Sequence, residues 1–428
     1  MENFILDLLR SSGADGWTVS DERCRGWEFY FIRHALDQNR ARDAEHIELT
    51  VYKRFSEDGQ DFLGSASAEI APSASPAEAK GLIAQLLNEA KLIRNPLYSL
   101  NEPRGEAAPK GETPDLRAIS GDFLRAMRSV EESAEADVNS YEIFADCVER
   151  RFISSTGIDV TEIYPASMAE VVVNARRAGH EIELYRMYNS GSCDAAGLKA
   201  NVEETLRFGR DKLHASKTPA LGKCDVVFST DDAREIYGYF IDRMSTNMIF
   251  QGMSDCEVGK RVCPDGGGDA VTVRALRALE NSSHNGAYDR EGAPVRDMTI
   301  IENGVAKNLF GSRMFSQYLG LEDSFIPGNF AVEGGSAPAA ELRQGKYLEI
   351  VEFSDFQVDP SNGDIAGEIR LGYLHDGDAV TIVEGGSVSG TMRELAGTMR
   401  FSKEQKQYNN YLIPAVTRLQ GANITGAE

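Results

Sequence analysis

The stretch "STDDAREIYGYFIDRMS", residues 229–245, sets a carboxylate, Glu235, into an amphipathic helical pattern. A helix reading His-Glu-x-x-x-His can hold zinc: the imidazoles bind the ion, the metal acidifies a water, and the glutamate serves as general base. Here the same window reads Arg234-Glu235-Ile236-Tyr237-Gly238-Tyr239. Arginine has no lone pair to give and stays cationic at any relevant pH. Tyrosine could ligate only as a phenolate, and its reference pKa is about 10. Positions five apart on a regular helix also lie about 140° from one another, so Arg234 and Tyr239 need not face one site. A plain amphipathic helix with Ile236, Tyr239, Phe240 and Arg243 accounts for the same letters.

Other residues offer weaker chemistry. Histidines 34, 46, 180, 214, 284 and 375 are scattered without metal-ligand spacing. Asp359-Pro360-Ser361-Asn362-Gly363-Asp364 has the flavour of a calcium loop but lacks the twelve-residue spacing and closing glutamate, and reads as a hairpin turn. "PDGGGD", 264–269, has no Lys-Ser/Thr ending to make it a phosphate-binding loop, and is expected to be mobile. No GxSxG occurs. Cys256 and Cys263 give only a faint redox or metal signal.

The elements that must position these groups divide in two. A chain of 428 residues exceeds what one core usually serves. Forty-five Lys and Arg against 67 Asp and Glu give a net charge of −22, which disfavours nucleic acid and anionic membranes as partners. Six cysteines without a CxxC pair read as reduced thiols, and no signal peptide or membrane-length apolar run is visible, so the cytoplasm is expected. Residues 2–10 have helical spacing. "WEFYFIRHAL", "HIELTVYKRF" and "DFLGSASAEIA" read as three strands, and Ser75, Pro76 and Glu78 form a helix start with a capping box. Residues 95–113 read as an unpacked surface connection. A helix near 121–134, three strands from 140 to 190 and a helix at 194–214 follow, before a Pro/Gly hinge in "SKTPALGKCD". Beyond it, short β runs with turns at Asn303-Gly304, Asn362-Gly363 and Asp376-Gly377 predict a barrel-like or sandwiched β domain. The expectation is an α+β chain of two domains: residues 1–218, an antiparallel sheet with helices, and 219–428, β-rich and carrying the helix of Glu235.

The ordered matches "TPALGKCDVVFSTDDAREIYGYF", "QGMSDCEVGKRV", "YDREGAPVRDMTIIENGVAKNLF", "FSDFQVDPSNGDIAGEIRLGYLHDGD" and "IPAVTRLQGANITG" resemble the TldD/PmbA family, the "modulator of DNA gyrase" proteins related to zinc metallopeptidases. The resemblance implies a subunit that dimerises around a peptide-accessible cavity. It also implies a catalytic branch in which HExxxH and a C-terminal cysteine hold zinc, and a PmbA/TldE-like branch without them. Laid on that motif, Arg234 and Tyr239 replace the histidines, Glu235 and Gly238 remain, and no cysteine follows Cys263. The expected function is therefore that of a non-metal PmbA/TldE-like subunit. It binds peptide or unfolded segments without cleaving them, as a homodimer or with an HExxxH-bearing relative, and needs no cofactor of its own. The alternative is an active metallopeptidase whose zinc ligands are not evident in the sequence. Restoring both histidines is expected to give weak zinc binding and little hydrolysis.

Overall fold

The computed structural model describes residues 3–427. Helix α1 (Asn3–Ser11) is followed by strands β1 (Gly16–Ile32), β2 (Ala35–Glu57) and β3 (Gln60–Ile70), then helices α2 (Pro76–Ala90) and α3 (Leu116–Arg128). Strands β4 (Ala136–Ser154), β5 (Asp159–Arg177) and β6 (His180–Ser190) and helix α4 (Ala195–Lys212) complete this half. The six strands form one antiparallel sheet in the order β3-β2-β1-β4-β5-β6. Period-two alternation decides its faces. Trp17, Val19, Ile47, Leu49 and Val51 are buried beneath α1 and α2. Tyr141, Ile143, Val171 and Val173 are buried beneath α3 and α4. The capping box is present: Ser75 Oγ accepts from the Glu78 amide, and the Glu78 carboxylate accepts from the Ser75 amide at 2.8 Å.

Two sequence expectations change here. "WEFYFIRHAL" is the end of β1, a tight turn and the start of β2: Ile32 pairs with Ala35, and Arg33 takes φ 55°. No glycine or asparagine marks this turn, so the aromatic run conceals it. Residues 95–113 contain no helix or longer strand, yet they strap the two halves together. The Ser99 amide donates to Gln317 Oε1 (3.0 Å), Tyr318 Oη to the Pro96 carbonyl (2.7 Å) and the Ala108 amide to Tyr288 Oη (2.8 Å).

In the second half, strands Gly222–Phe228, Lys346–Val358, Asp364–Asp376, Ser387–Thr391 and Thr417–Thr425 close into a five-stranded barrel. Its rim is extended by Ala379–Glu384 and by Ser216–Lys217, a short strand inside the expected hinge. A six-stranded sheet beside it runs Val305–Ala306, Met298–Glu302, Val273–Leu276, Asn329–Val332, Tyr411–Pro414, Gln405–Tyr408. Asn303 and Gly304 both have positive φ (50° and 73°), the geometry of a two-residue hairpin. The chain is thus α+β, with a curled antiparallel sheet joined to a barrel-containing β domain. "PDGGGD" is pinned: the Gly268 and Asp269 amides donate to the carbonyls of Gly397 (2.9 Å) and Met399 (2.8 Å). A Cβ on Gly266 would lie 2.4 Å from the Gly397 carbonyl oxygen, so glycine here serves close backbone packing rather than mobility. No helix among the described residues is long and apolar enough to cross a membrane.

Candidate functional site

Helix α5 (Ala233–Asp242) begins where barrel strand Gly222–Phe228 ends. Val226, Val227 and Phe228 are wholly buried, so the strand cannot continue into solvent unchanged. The chain turns through Ser229–Asp232, with amides of Ala233 and Arg234 donating to the carbonyls of Thr230 (3.2 Å) and Asp231 (2.9 Å). Ile236, Tyr237, Phe240 and Ile241 share one continuous core with the barrel and the neighbouring sheet. Tyr237 Oη meets Thr417 Oγ1 at 2.7 Å.

The four positions singled out in the sequence fall on different sides of this helix. Arg234 is partly exposed; its Nε donates to the Asp231 carbonyl (3.1 Å) and its guanidinium lies 6.0 Å from the Tyr411 ring centre. Glu235 stands at the surface. Although exposed, its carboxyl is partly desolvated by the protein packed around it, which holds it above the ordinary range, with the Arg234 charge lowering and the Asp231 charge raising it. Gly238 has open space where a Cβ would stand, so packing does not require a glycine there. Tyr239 is 3% exposed. Its hydroxyl accepts from Arg243 Nη1 (2.8 Å), the Arg243 guanidinium sits 4.8 Å from its ring centre, and its ring closes against Gly363 of the 359–364 turn. Arg243 is itself buried and paired with Asp255. The structure therefore brings Arg234 to Asp231 and Tyr239 to Arg243, and does not bring Arg234 and Tyr239 together.

Arg234 opens onto a cavity of about 770 Å³ between the two halves. Its walls include β6 residues Arg186 to Ser190, α4, and residues Lys406 to Asn409. Consecutive residues of a strand point to opposite faces, so a wall made of consecutive residues is a strand edge. Both edges are terminal: β6 ends the first sheet and Gln405–Tyr408 ends the second. Among the described residues, no backbone hydrogen bond beyond those to β5 and to Tyr411–Pro414 reaches residues 185–189 or 405–408.

Polar contacts across the halves fix this gap. Arg186 makes a two-armed contact with Glu352 of barrel strand Lys346–Val358, Nη1 to Oε1 at 2.8 Å. The Gly191 amide donates to the Asn281 carbonyl (2.7 Å) and the Ser192 amide to Asn281 Oδ1 (2.6 Å). Asn281 and Asn409 hold the two corners with positive φ, 56° and 50°. Asp232 lies just behind the wall. Burial, then the charge of Asp231, pushes its carboxyl up to about 6. None of these residues was reached from the sequence. The signals available were asparagines between polar neighbours, which suit left-handed turns.

Zinc, which a metallopeptidase family implies, does not fit the residues present on α5. Arg234 is occupied with Asp231 and offers no lone pair, and the Tyr239 hydroxyl is committed to Arg243 and held above its ordinary range by burial, against the lowering effect of the Arg243 charge. No group of three His, Cys, Asp or Glu side chains among the described residues is placed to hold a metal.

A closed five-stranded barrel, a curled antiparallel sheet and a cavity between two terminal strand edges define an α+β scaffold with an open cleft between its sheets. Residues 221–426 match the family described as "PmbA/TldA metallopeptidase C-terminal domain". This C-terminal half of the chain is therefore similar to the TldD/PmbA family. The fold is shared along the length of the chain with three solved structures. TldE from Thermococcus kodakarensis has TM-score 0.75 and 17% identity, covering 99% of this chain and 100% of that one. A candidate modulator of a DNA gyrase from Thermotoga maritima has TM-score 0.75 and 16% identity, covering 98% of each. A candidate modulator of DNA gyrase from Bacteroides thetaiotaomicron has TM-score 0.77 and 16% identity, covering 99% of this chain and 98% of that one. No curated protein matches the sequence significantly.

Proposed function

We propose that this chain is a PmbA/TldE-like, non-metal subunit that binds extended or unfolded peptide between its two halves and does not itself hydrolyse it. The observation that carries this reading is the cavity bounded by two unpaired strand edges. An extended peptide can satisfy its own backbone by adding to such an edge, which gives affinity with little dependence on sequence. The α5 residues support the second clause, since the helix presents a carboxylate, Glu235, without imidazoles beside it. The division at residues 218 and 219, the cytoplasm as compartment, and assembly with a second copy or an HExxxH-bearing relative belong to the same reading. Fluorescence anisotropy of a labelled, unstructured peptide tests it. Saturable binding is expected, weakened about tenfold or more by Asn201→Trp, which fills the cavity from α4. Equal binding by that variant would place the peptide elsewhere.

A further inference from the structure

A second cavity, of about 400 Å³, lies on the other face of the first sheet, away from α1 and α2. The alternation that buries Trp17, Val19, Leu49 and Val51 sends Thr18, Ser20, Thr50, Ser65 and Ser67 to this face, on three adjacent strands. Each hydroxyl carries one donor and two acceptor positions. Thr50 Oγ1 and Ser67 Oγ satisfy part of each other at 2.7 Å. Ser20 and Ser65 have no side-chain partner among the described residues.

The rest of the lining is aromatic and charged. Tyr52 and Tyr98 meet edge to face, 6.5 Å between ring centres and 84° between planes. Burial keeps the Tyr52 hydroxyl protonated, its pKa pushed up to about 12. Glu291 accepts from the Arg313 amide through one oxygen (2.7 Å) and has the other free among the described residues. Glu48 and Arg290, both exposed at the rim, make no hydrogen bond or ion pair through their side chains among the described residues.

Candidate ligands can be sorted by what they leave unsatisfied. A phosphate would find the Arg290 guanidinium, since that of Arg313 is committed to Ser99 and the Glu322 carbonyl, but it would also face the two carboxylates of Glu48 and Glu291. An apolar molecule would cover the hydroxyls without replacing the water they lose. A polyhydroxylated ring matches the hydroxyls, because its own groups also donate and accept. It offers donors to Glu48 and Glu291, and it lays a C–H face on the tyrosines. The volume falls within the range of small-ligand pockets. We propose that this cavity binds a mono- or disaccharide, held by the Thr18, Ser20 and Ser65 hydroxyls and by Glu48 and Glu291, with Tyr52 and Tyr98 beneath its ring.

Saturation-transfer NMR on the full chain tests this with glucose, N-acetylglucosamine, maltose, cellobiose and tetra-alanine, each added alone. Transfer to the ring protons of at least one sugar is expected, with binding about tenfold weaker in Ser20→Phe, which fills the cavity, and several-fold weaker in Glu48→Gln. Glu48 is exposed and makes no side-chain hydrogen bond or ion pair among the described residues, so Glu48→Gln should melt like the parent and keeps the test valid if Ser20→Phe folds poorly. Asn201→Trp, in the other cavity, should leave sugar binding unchanged. No transfer to any of the four sugars, transfer indifferent to both variants, or binding of tetra-alanine alone at this site overturns the proposal.

Discussion

Tyr239 and Arg243 show how completely one side chain can redefine a position. Where the family resemblance points to an imidazole, this chain has a phenol whose oxygen accepts from a buried guanidinium and whose ring is covered by Gly363. Restoring Arg234→His and Tyr239→His together is therefore expected to give no gain in zinc affinity, contrary to the weak binding that the motif alone suggests. The new imidazoles would stand on different sides of α5, one beside Asp231 and one under Arg243. Isothermal titration of the double variant with zinc checks this, and a new tight site would mean that the two positions converge. Asp232 makes a separate prediction. The folded chain holds its proton up to about pH 6, whereas an unfolded aspartate loses it near about 4. The folded state binds more protons across that window, so stability falls as pH rises through it, by at most ~3 kcal/mol. Asp232→Asn should raise the melting temperature at pH 8 and leave it nearly unchanged at pH 4. A variant that melts lower at pH 8 would show that the charged form is the favoured one.

The elements were largely legible where a local rule fixes them. The alternation of Ile47, Leu49 and Val51, the Ser75/Glu78 capping box and the Asn303-Gly304 turn each reflect chemistry confined to a few neighbouring residues, and each stands in the fold as read. Ser75→Ala should cost about 1 kcal/mol in urea unfolding, since it removes the side-chain acceptor for the Glu78 amide. An unchanged midpoint would mean that α2 starts elsewhere. What the sequence withheld depends on distance along the chain. Arg186 and Glu352 are 166 residues apart, and nothing local announces that they meet. "PDGGGD" looked mobile because its glycines have no visible partner in sequence, while in space they fit against Gly397 and Met399. The Arg33 turn carries a residue unsuited by propensity to positive φ, and only the strand pairing on both sides imposes it. The candidate site was legible as a helix and a carboxylate, but its cavity is built by edges of two sheets whose order no local pattern encodes.

At the scale of the whole molecule, the first sheet has an unfinished side. Strand β3 pairs only with Ile47–Glu57 of β2, leaving residues 35–46 on an open edge beside exposed Ile32 (58%) and Leu36 (53%). Open edges with apolar neighbours invite pairing, and a closed two-fold assembly is the common way to cover them. Sedimentation should give a dimer that Ile32→Asp with Leu36→Asp shifts toward monomer; a 46.9 kDa particle across a wide concentration range would contradict this. On the proposed function, the chamber between the halves holds peptide without cutting it. Equilibrium dialysis of a labelled, unstructured peptide against the protein in zinc-containing buffer, with mass spectrometry of the recovered peptide, addresses both parts at once. The expected result is peptide enriched on the protein side and recovered intact. Peptide that does not partition to the protein, or that is recovered as fragments unless a chelator is present, would contradict the account.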